Sequence, residues 1–304
     1  MNTNQKAIDF FDKNDYEEAM KLFHQAVKES RDIQSLNNLA WMYSYEDEDD
    51  EKALVLIQEV IDMKPSSYFP YNLLGEIYLR QEKWQLASDT FEKSILIRPS
   101  DEAYHNLAIV KYHLGDMKEA AEYFLRVAGN SDEMMYSHVQ CLVKLGKKTE
   151  ALEKLDAFSE EAEEFVGEIA LADLYVELDC FKEAIHWFEK GRKDYSGNPY
   201  WVRRFAYAFF MTNNITRIYE VADEAIQQKD KEIKEAREEE CEDNWTANDK
   251  EEYIEQLLEE KNKYEVMVEQ ILSGQIPLME FETSMTGACY LFGCKQHNHP
   301  EYQE

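Results

Sequence analysis

One spacing recurs along most of this chain and limits what it can fold into: a small residue, an aromatic, an alanine and an apolar residue, three or four positions apart. It is clearest between Tyr71 and Pro99. Tyr71, Leu74, Gly75 and Tyr78 fall on one face of a first helix, and Ala87 and Phe91 on one face of a second. A short polar turn joins the two, and Pro99 closes the unit. The result is an antiparallel helical hairpin, and its return at about every 34 residues predicts a stack of hairpins. A single hairpin cannot bury its apolar face alone, so neighbouring units must cover one another.

The rest of the composition agrees. Of 304 residues only 10 are Gly and 6 are Pro, which leaves little room for hairpin-rich β structure, and few segments alternate with period two. The chain reads as nearly all helix. No stretch approaches the roughly 18 apolar residues of a membrane span. The opening MNTNQKAIDFFDKND has no basic start followed by an apolar run, so no secretory signal is expected there. A soluble cytoplasmic protein is the expectation.

The pattern returns on both sides of the clearest unit. Ala7, Phe10, Ala19, Phe23 and Ala26 carry it first, then Leu36, Leu39, Ala40, Tyr43, Ala53, Ile57 and Pro65, with a turn at 46–51 one residue longer than the pattern. Tyr104, Leu107, Ala108, Leu114, Gly115, Ala120, Phe124 and Val127 follow, with Lys111 where an aromatic is usual. Val139, Leu142, Leu145, Gly146, Ala151 and Leu155 form a weaker unit, and Leu171, Ala172, Tyr175, Ala184 and Phe188 a stronger one. Ala206, Phe209, Ala222 and Ala225 close the series, with Ile218 in an alanine position. On these residues, over 3–225, the chain resembles the tetratricopeptide repeat family. The resemblance implies an all-α, right-handed superhelical solenoid of about six to seven hairpins, whose first helices line a concave groove.

Three regions are expected: a repeat array at 1–225, a charged helical extension and capping helix at 226–273, and a non-repeat tail at 274–304. Residues 226–243 have few apolar positions, so the last repeat helix should run on into solvent. Tyr253, Leu257, Tyr264, Val268 and Ile271 then mark a helix that packs back on the array, ended by Gly274 and Pro277. The stretch from Pro277 to Cys294 is apolar enough to need covering, either on the cap or in the groove.

By resemblance, the groove candidates are Asn37, Asn38, Trp41, Asn72, Glu76, Arg80, His105, Asn106, Ile109, His113, Tyr136, Gln140, Asp173, Glu177, Tyr200, Arg203, Arg204 and Tyr207. Asparagine suits such a face because its amide both donates and accepts. The family's carboxylate-capturing clamp is not expected, since Gln34, Phe69 and Glu102 stand where basic residues would be needed. The pair Arg203 and Arg204 is a candidate anion site or a partner for nearby carboxylates.

The formal net charge is −30. Such a chain repels nucleic-acid backbones and anionic membranes, so neither is an expected partner. The charge serves solubility, or it selects a basic protein. Five scattered cysteines are poor material for a disulfide framework. Cys289, Cys294, His297 and His299 have the chemistry of zinc ligands but not a usual spacing, and a packed thiol pair beside a polar tail is the preferred reading. The acidic clusters lack the spaced ligands of a calcium loop. No phosphate loop, nucleophile elbow or metalloprotease motif is present. The expectation is a non-enzymatic, cofactor-free module that binds a partner protein or peptide. Its sharper form is an immunity protein, an acidic inhibitor of a basic nuclease-like toxin; the alternative is a scaffold, chaperone or regulator of short segments. Oligomeric state is not set by the sequence.

Overall fold

The structure, a computed structural model, describes residues 2–129, 131–162, 164–192, 198–241, 245–281 and 283–296. Among them the chain forms fifteen helices and no strand. It divides into two compact units, one of residues 1–141 with 283–304 and one of residues 142–282.

The first unit holds α1 (Thr3–Phe11), α2 (Tyr16–Glu29), α3 (Ile33–Tyr45), α4 (Asp50–Asp62), α5 (Phe69–Arg80), α6 (Trp84–Ile97), α7 (Asp101–Leu114) and α8 (Met117–Ala128). It ends within α9 (Asp132–Lys144). From α1 to α8 each helix packs on the next where the two are joined in a hairpin, and α2, α4 and α6 pack on the hairpin that follows. The odd helices α1, α3, α5 and α7 also touch one another in order, which makes them the inner layer. The second unit holds α10 (Lys148–Leu155), α11 (Glu168–Glu177), α12 (Phe181–Gly191), α13 (Pro199–Met211), α14 (Ile215–Glu238) and α15 (Ala247–Leu272). Here α11 to α15 pack in chain order, and α13 touches both α11 and α15.

Each hairpin turn is closed the same way. One residue adopts a left-handed backbone: Asn14, Glu48, Glu82, Gly115, Gly146, Asp179 and Asn213. The amide that follows bonds back to a carbonyl five residues earlier, as in Asp15 to Phe10, Lys83 to Tyr78 and Asn214 to Phe209. This satisfies a carbonyl orphaned by the helix end. The second hairpin differs: Asp49 reaches back six residues to Tyr43, so the extra residue anticipated at 46–51 is taken up inside the turn. Aspartates and a serine cap the next helices, Asp15 for α2, Asp49 for α4 and Ser100 for α7.

Helix pairs approach closely where a side chain is missing. A Cβ on Gly75 of α5 would lie 2.7 Å from the Phe91 ring of α6. Phe91 therefore fills the space that glycine leaves. Lys111, in its aromatic position, is buried and pairs with Glu92 at 2.8 Å and Glu119 at 3.0 Å, joining α7 to α6 and α8.

The expected solvent-exposed extension is corrected by the structure. α14 does run unbroken to Glu238, but α15 lies along it and buries Ile233 and Ala236 against Leu257. Lys229, also buried, pairs with Glu232 and with Glu260 of α15. The spacing of these few apolar residues is enough to seat a second long helix. No helix among the described residues is long and apolar enough to cross a membrane.

Gly75→Ala is expected to destabilise the protein by about 1–3 kcal/mol, because the new methyl must displace the Phe91 ring. Phe91→Leu in the same chain should recover part of that loss in denaturant unfolding. Simple additivity of the two substitutions would show that the contact is not what limits the approach.

Candidate functional site

The inner helices of the first unit bury polar side chains. Asn37 and Asn38 on α3, Asn72 and Glu76 on α5, and His105 and Asn106 on α7 are all at most 4% exposed. Buried polar groups need partners. Most of theirs come from residues 283–294, a segment with no helix or ladder of its own. Its backbone must also be satisfied, and side chains of α3 and α7 do this.

Asn106 donates to the Thr286 carbonyl at 2.8 Å and accepts the Thr286 N–H at 2.9 Å. Asn38 treats Phe292 the same way, at 3.0 and 2.8 Å. Between these two clamps the Trp41 indole N–H reaches the Ala288 carbonyl at 3.1 Å, and Asn37 reaches the Tyr290 carbonyl at 2.7 Å. The bound residues are therefore 286, 288, 290 and 292. Period two is the signature of an extended chain with one edge turned to the helices. Gly287 fits because a Cβ there would collide with the Tyr45 ring and its hydroxyl oxygen.

The segment also enters the core. Tyr290, Leu291, Phe292 and Cys294 are buried in the same cluster as residues of α1 to α5. Phe292 stacks on Phe69 with ring centres 5.2 Å apart, and Tyr290 lies tilted against the same ring at 5.5 Å. The Tyr290 hydroxyl donates to Glu76 at 2.6 Å and lies 3.3 Å from the Asn72 amide. Tyr45 donates to the other oxygen of the same carboxylate. Burial pushes Glu76 up to about 7, with the two tyrosine hydroxyls and Arg80 opposing it. Arg80 itself is held by Asp50 at 2.7 Å and reaches Met285 of the segment at 3.8 Å. The Thr286 hydroxyl meets His105, whose imidazole burial lowers to about 4, so the ring is neutral at physiological pH.

A second cluster forms within the other unit. Arg204, fully buried, pairs with Asp173, bonds Glu177 at 2.7 Å and donates to the Pro277 carbonyl at 2.7 Å. Tyr200 donates to Asp173 at 2.9 Å and accepts the Glu280 N–H at 3.0 Å. Two side chains of α13 thus hold the backbone of 277–280, themselves anchored by Asp173 and Glu177 of α11. Burial raises Asp173 to about 6 against the pull of Arg204. Of the two readings of this arginine pair, Arg204 takes the intramolecular one. Arg203 instead lines a cavity of about 1040 Å³ with Lys229, Lys263, Met267 and Leu278.

The remaining candidates lie elsewhere. Ile109 and Gln140 are buried, and Tyr136 is half-buried on α9, one residue before Ser137, which meets Thr283 at 3.1 Å. His113 stacks on Trp84 of α6 at 4.1 Å. Tyr207 packs edge-on against Phe181. Tyr45 escaped the sequence reading, and Gln34, noted there only as standing where a basic residue would be needed, donates to the Phe292 carbonyl at 3.2 Å. Cys289 shares a hydrogen bond with Cys294, and that bond together with burial raises the Cys289 thiol well above its ordinary range. His297 and His299 lie outside the described residues, among which no group of three His, Cys, Asp or Glu is placed to hold a metal ion.

Comparison with known proteins fits this architecture. Residues 72–134 match the tetratricopeptide repeat family profile. Among solved structures, a tetratricopeptide repeat protein from Parabacteroides merdae superposes with a TM-score of 0.56 at 17% identity, covering 79% of this chain and 92% of that one. The C-terminal part of a TPR repeat-containing protein from Cytophaga hutchinsonii also gives 0.56, at 14% identity over 74% of this chain and 95% of that one. No curated protein matches the sequence. The family match is centred on α5 to α8, and hairpins of the same construction lie before and after it, so the chain has the all-α helical-repeat fold of these structures.

Proposed function

We propose that this protein is a non-enzymatic interaction module whose inner face accepts an extended segment of a partner protein in place of its own residues 283–294. One observation carries the reading: the backbone of Thr286, Ala288, Tyr290 and Phe292 is gripped by side chains of α3 and α7, as a bound peptide would be. Contacts to main chain tolerate many sequences, so the same groups serve another extended segment equally well. The tethered segment competes at an effective concentration on the order of 1 mM. Against a free peptide of about 10 μM affinity, that holds the face closed about a hundredfold over open. Binding by a partner is then displacement, and the segment acts as a gate. The finer reading as an immunity protein against a basic toxin draws only on the net charge of −30. The segment that fills the face carries no charged side chain from Thr283 to Cys294, which favours recognition by shape and hydrogen bonding.

The test is fluorescence anisotropy with a labelled peptide of residues 283–296. The receptor is the full chain carrying Tyr290→Ala and Phe292→Ala, which loosens the internal copy. This receptor should bind the peptide at least tenfold more tightly than the unmodified protein, and adding Asn38→Ala and Asn106→Ala should remove binding. Affinity should change less than about threefold between 50 and 500 mM salt, since no exposed ion pair is formed. Equal, weak binding to all receptors would sink the reading, and a steep loss with salt would favour charge-led recognition.

Seating should also depend on pH. Glu76 is faced by Tyr45 of α3, Arg80 of its own helix, Tyr290 of the segment and, at longer range, Glu102 of α7, with Asp50 of α4 paired to Arg80. Its carboxyl sits near 7 with the segment seated and returns toward 4.5 when water enters. A raised value in the seated state means that seating is fully favoured below the open-state value and loses that contribution as pH rises through 7. His105, held neutral against Thr286, contributes in the opposite sense. The Glu76 contribution is therefore read as a ratio, the peptide affinity of the receptor that keeps Glu76 divided by that of the receptor with Glu76→Gln. This ratio should be about tenfold higher at pH 5.5 than at pH 8, and a ratio that does not change with pH would show that Glu76 is not coupled to seating.

A further inference from the structure

Resting on the peptide-binding reading, we infer that the face selects an uncharged segment with a tyrosine followed two positions later by a phenylalanine, and that Glu76 with Asn72 reads the tyrosine hydroxyl. Residues 286–292 are then the chain's own copy of its ligand.

The argument separates register from selection. The contacts to Thr286, Ala288 and Phe292 main chain fix where an extended chain lies, whatever its side chains. Selection needs side chains that reach buried, shaped surroundings; Tyr290, Leu291, Phe292 and Cys294 all do, and of these Tyr290 and Phe292 pack on the Phe69 ring. Phe292 is fully buried against Phe69 and contributes area, so other large apolar residues can replace it at modest cost. Tyr290 differs, because its ring packs on Phe69 while its hydroxyl ends on a fully buried carboxyl. That carboxyl has Tyr45 as its other hydroxyl donor, and Asn72 points its amide at the same phenol oxygen.

A phenylalanine in that place keeps the area but leaves a Glu76 oxygen and the Asn72 amide without their partner. A site built to bond a hydroxyl rejects an analogue lacking it far more strongly than an apolar pocket rejects a missing methylene. A charged residue fares worse. A carboxylate or phosphate would face Glu76 in a water-excluded place, with Arg80 already committed to Asp50. The face should thus discriminate against phosphotyrosine, which makes phosphorylation of the partner's tyrosine a way to forbid binding.

The experiment extends the same anisotropy assay on the loosened full-length receptor. It uses four peptides of residues 283–296: unmodified, Tyr290→Phe, phosphorylated at Tyr290, and Phe292→Leu. The Phe peptide should bind at least tenfold more weakly, the phosphopeptide should not bind measurably, and the Leu peptide should stay within about fivefold. On a receptor that also carries Glu76→Leu, the preference should reverse, with the Phe peptide binding at least as well as the tyrosine peptide. If that receptor does not fold, the peptide series on the first receptor still decides. Tyrosine and phenylalanine peptides of equal affinity would overturn this inference and leave peptide binding standing, whereas no binding by any peptide would overturn both.

Discussion

A backbone amide and its carbonyl, left outside any helix or sheet, need a donor and an acceptor held at a fixed spacing, and an asparagine side chain supplies both. Asn38 and Asn106 each meet one residue of the extended segment in this two-way fashion. Six residues of extended chain, about 20 Å, separate the two clamped positions. That span matches only if α3 and α7 are held at a constant separation by the hairpins around them. The small residues that let helices touch, such as Gly75 under Phe91, therefore set the geometry of the clamp on this segment as much as that of the core.

Charge lies on other surfaces than the face that holds the segment. The chain carries 63 acidic and 33 basic residues, yet the segment on the inner face is uncharged through Cys294. Acidic side chains crowd the exposed faces, where like charges repel one another. Where charge does enter the buried layer it is tied down. Arg204 is shared by Asp173 and Glu177, Lys111 by Glu92 and Glu119, and Arg80 is held by Asp50. Glu76 is the exception, a buried carboxyl whose nearest partners are two phenols.

How much of this could be read in advance follows from the range of each interaction. Hairpins are local: glycine, alanine and aromatic residues at spacings of three and four decide them, and even the extra turn residue before α4 was visible in the pattern. Inner-face asparagines could be picked out because the family resemblance places them on the groove side, where an amide can both donate and accept. The seat of the last segment could not be decided, since an apolar stretch without helical period satisfies either a cap or a groove. Tyr45 was missed for a related reason. At the end of α3 it looks like one more aromatic of the core, and only Tyr290, some 245 residues later in sequence, turns its hydroxyl into part of a binding pocket. The extension of α14 was misjudged because one apolar residue per turn looked too sparse to pack, yet Ile233 and Ala236 suffice when a second long helix lies alongside.

Glu76 ties the stability of the array to its function. A carboxyl buried without a cation is a cost, and here two hydroxyls and a neighbouring guanidinium offset part of it. Removing the segment takes away Tyr290 and with it the ring that shields the carboxyl, so the empty face must admit water. An open groove of this kind is therefore less stable than a filled one, whichever segment fills it. On the proposed reading, the chain's own segment fills it whenever no partner does, and a partner that replaces it would bring a hydroxyl to the same point.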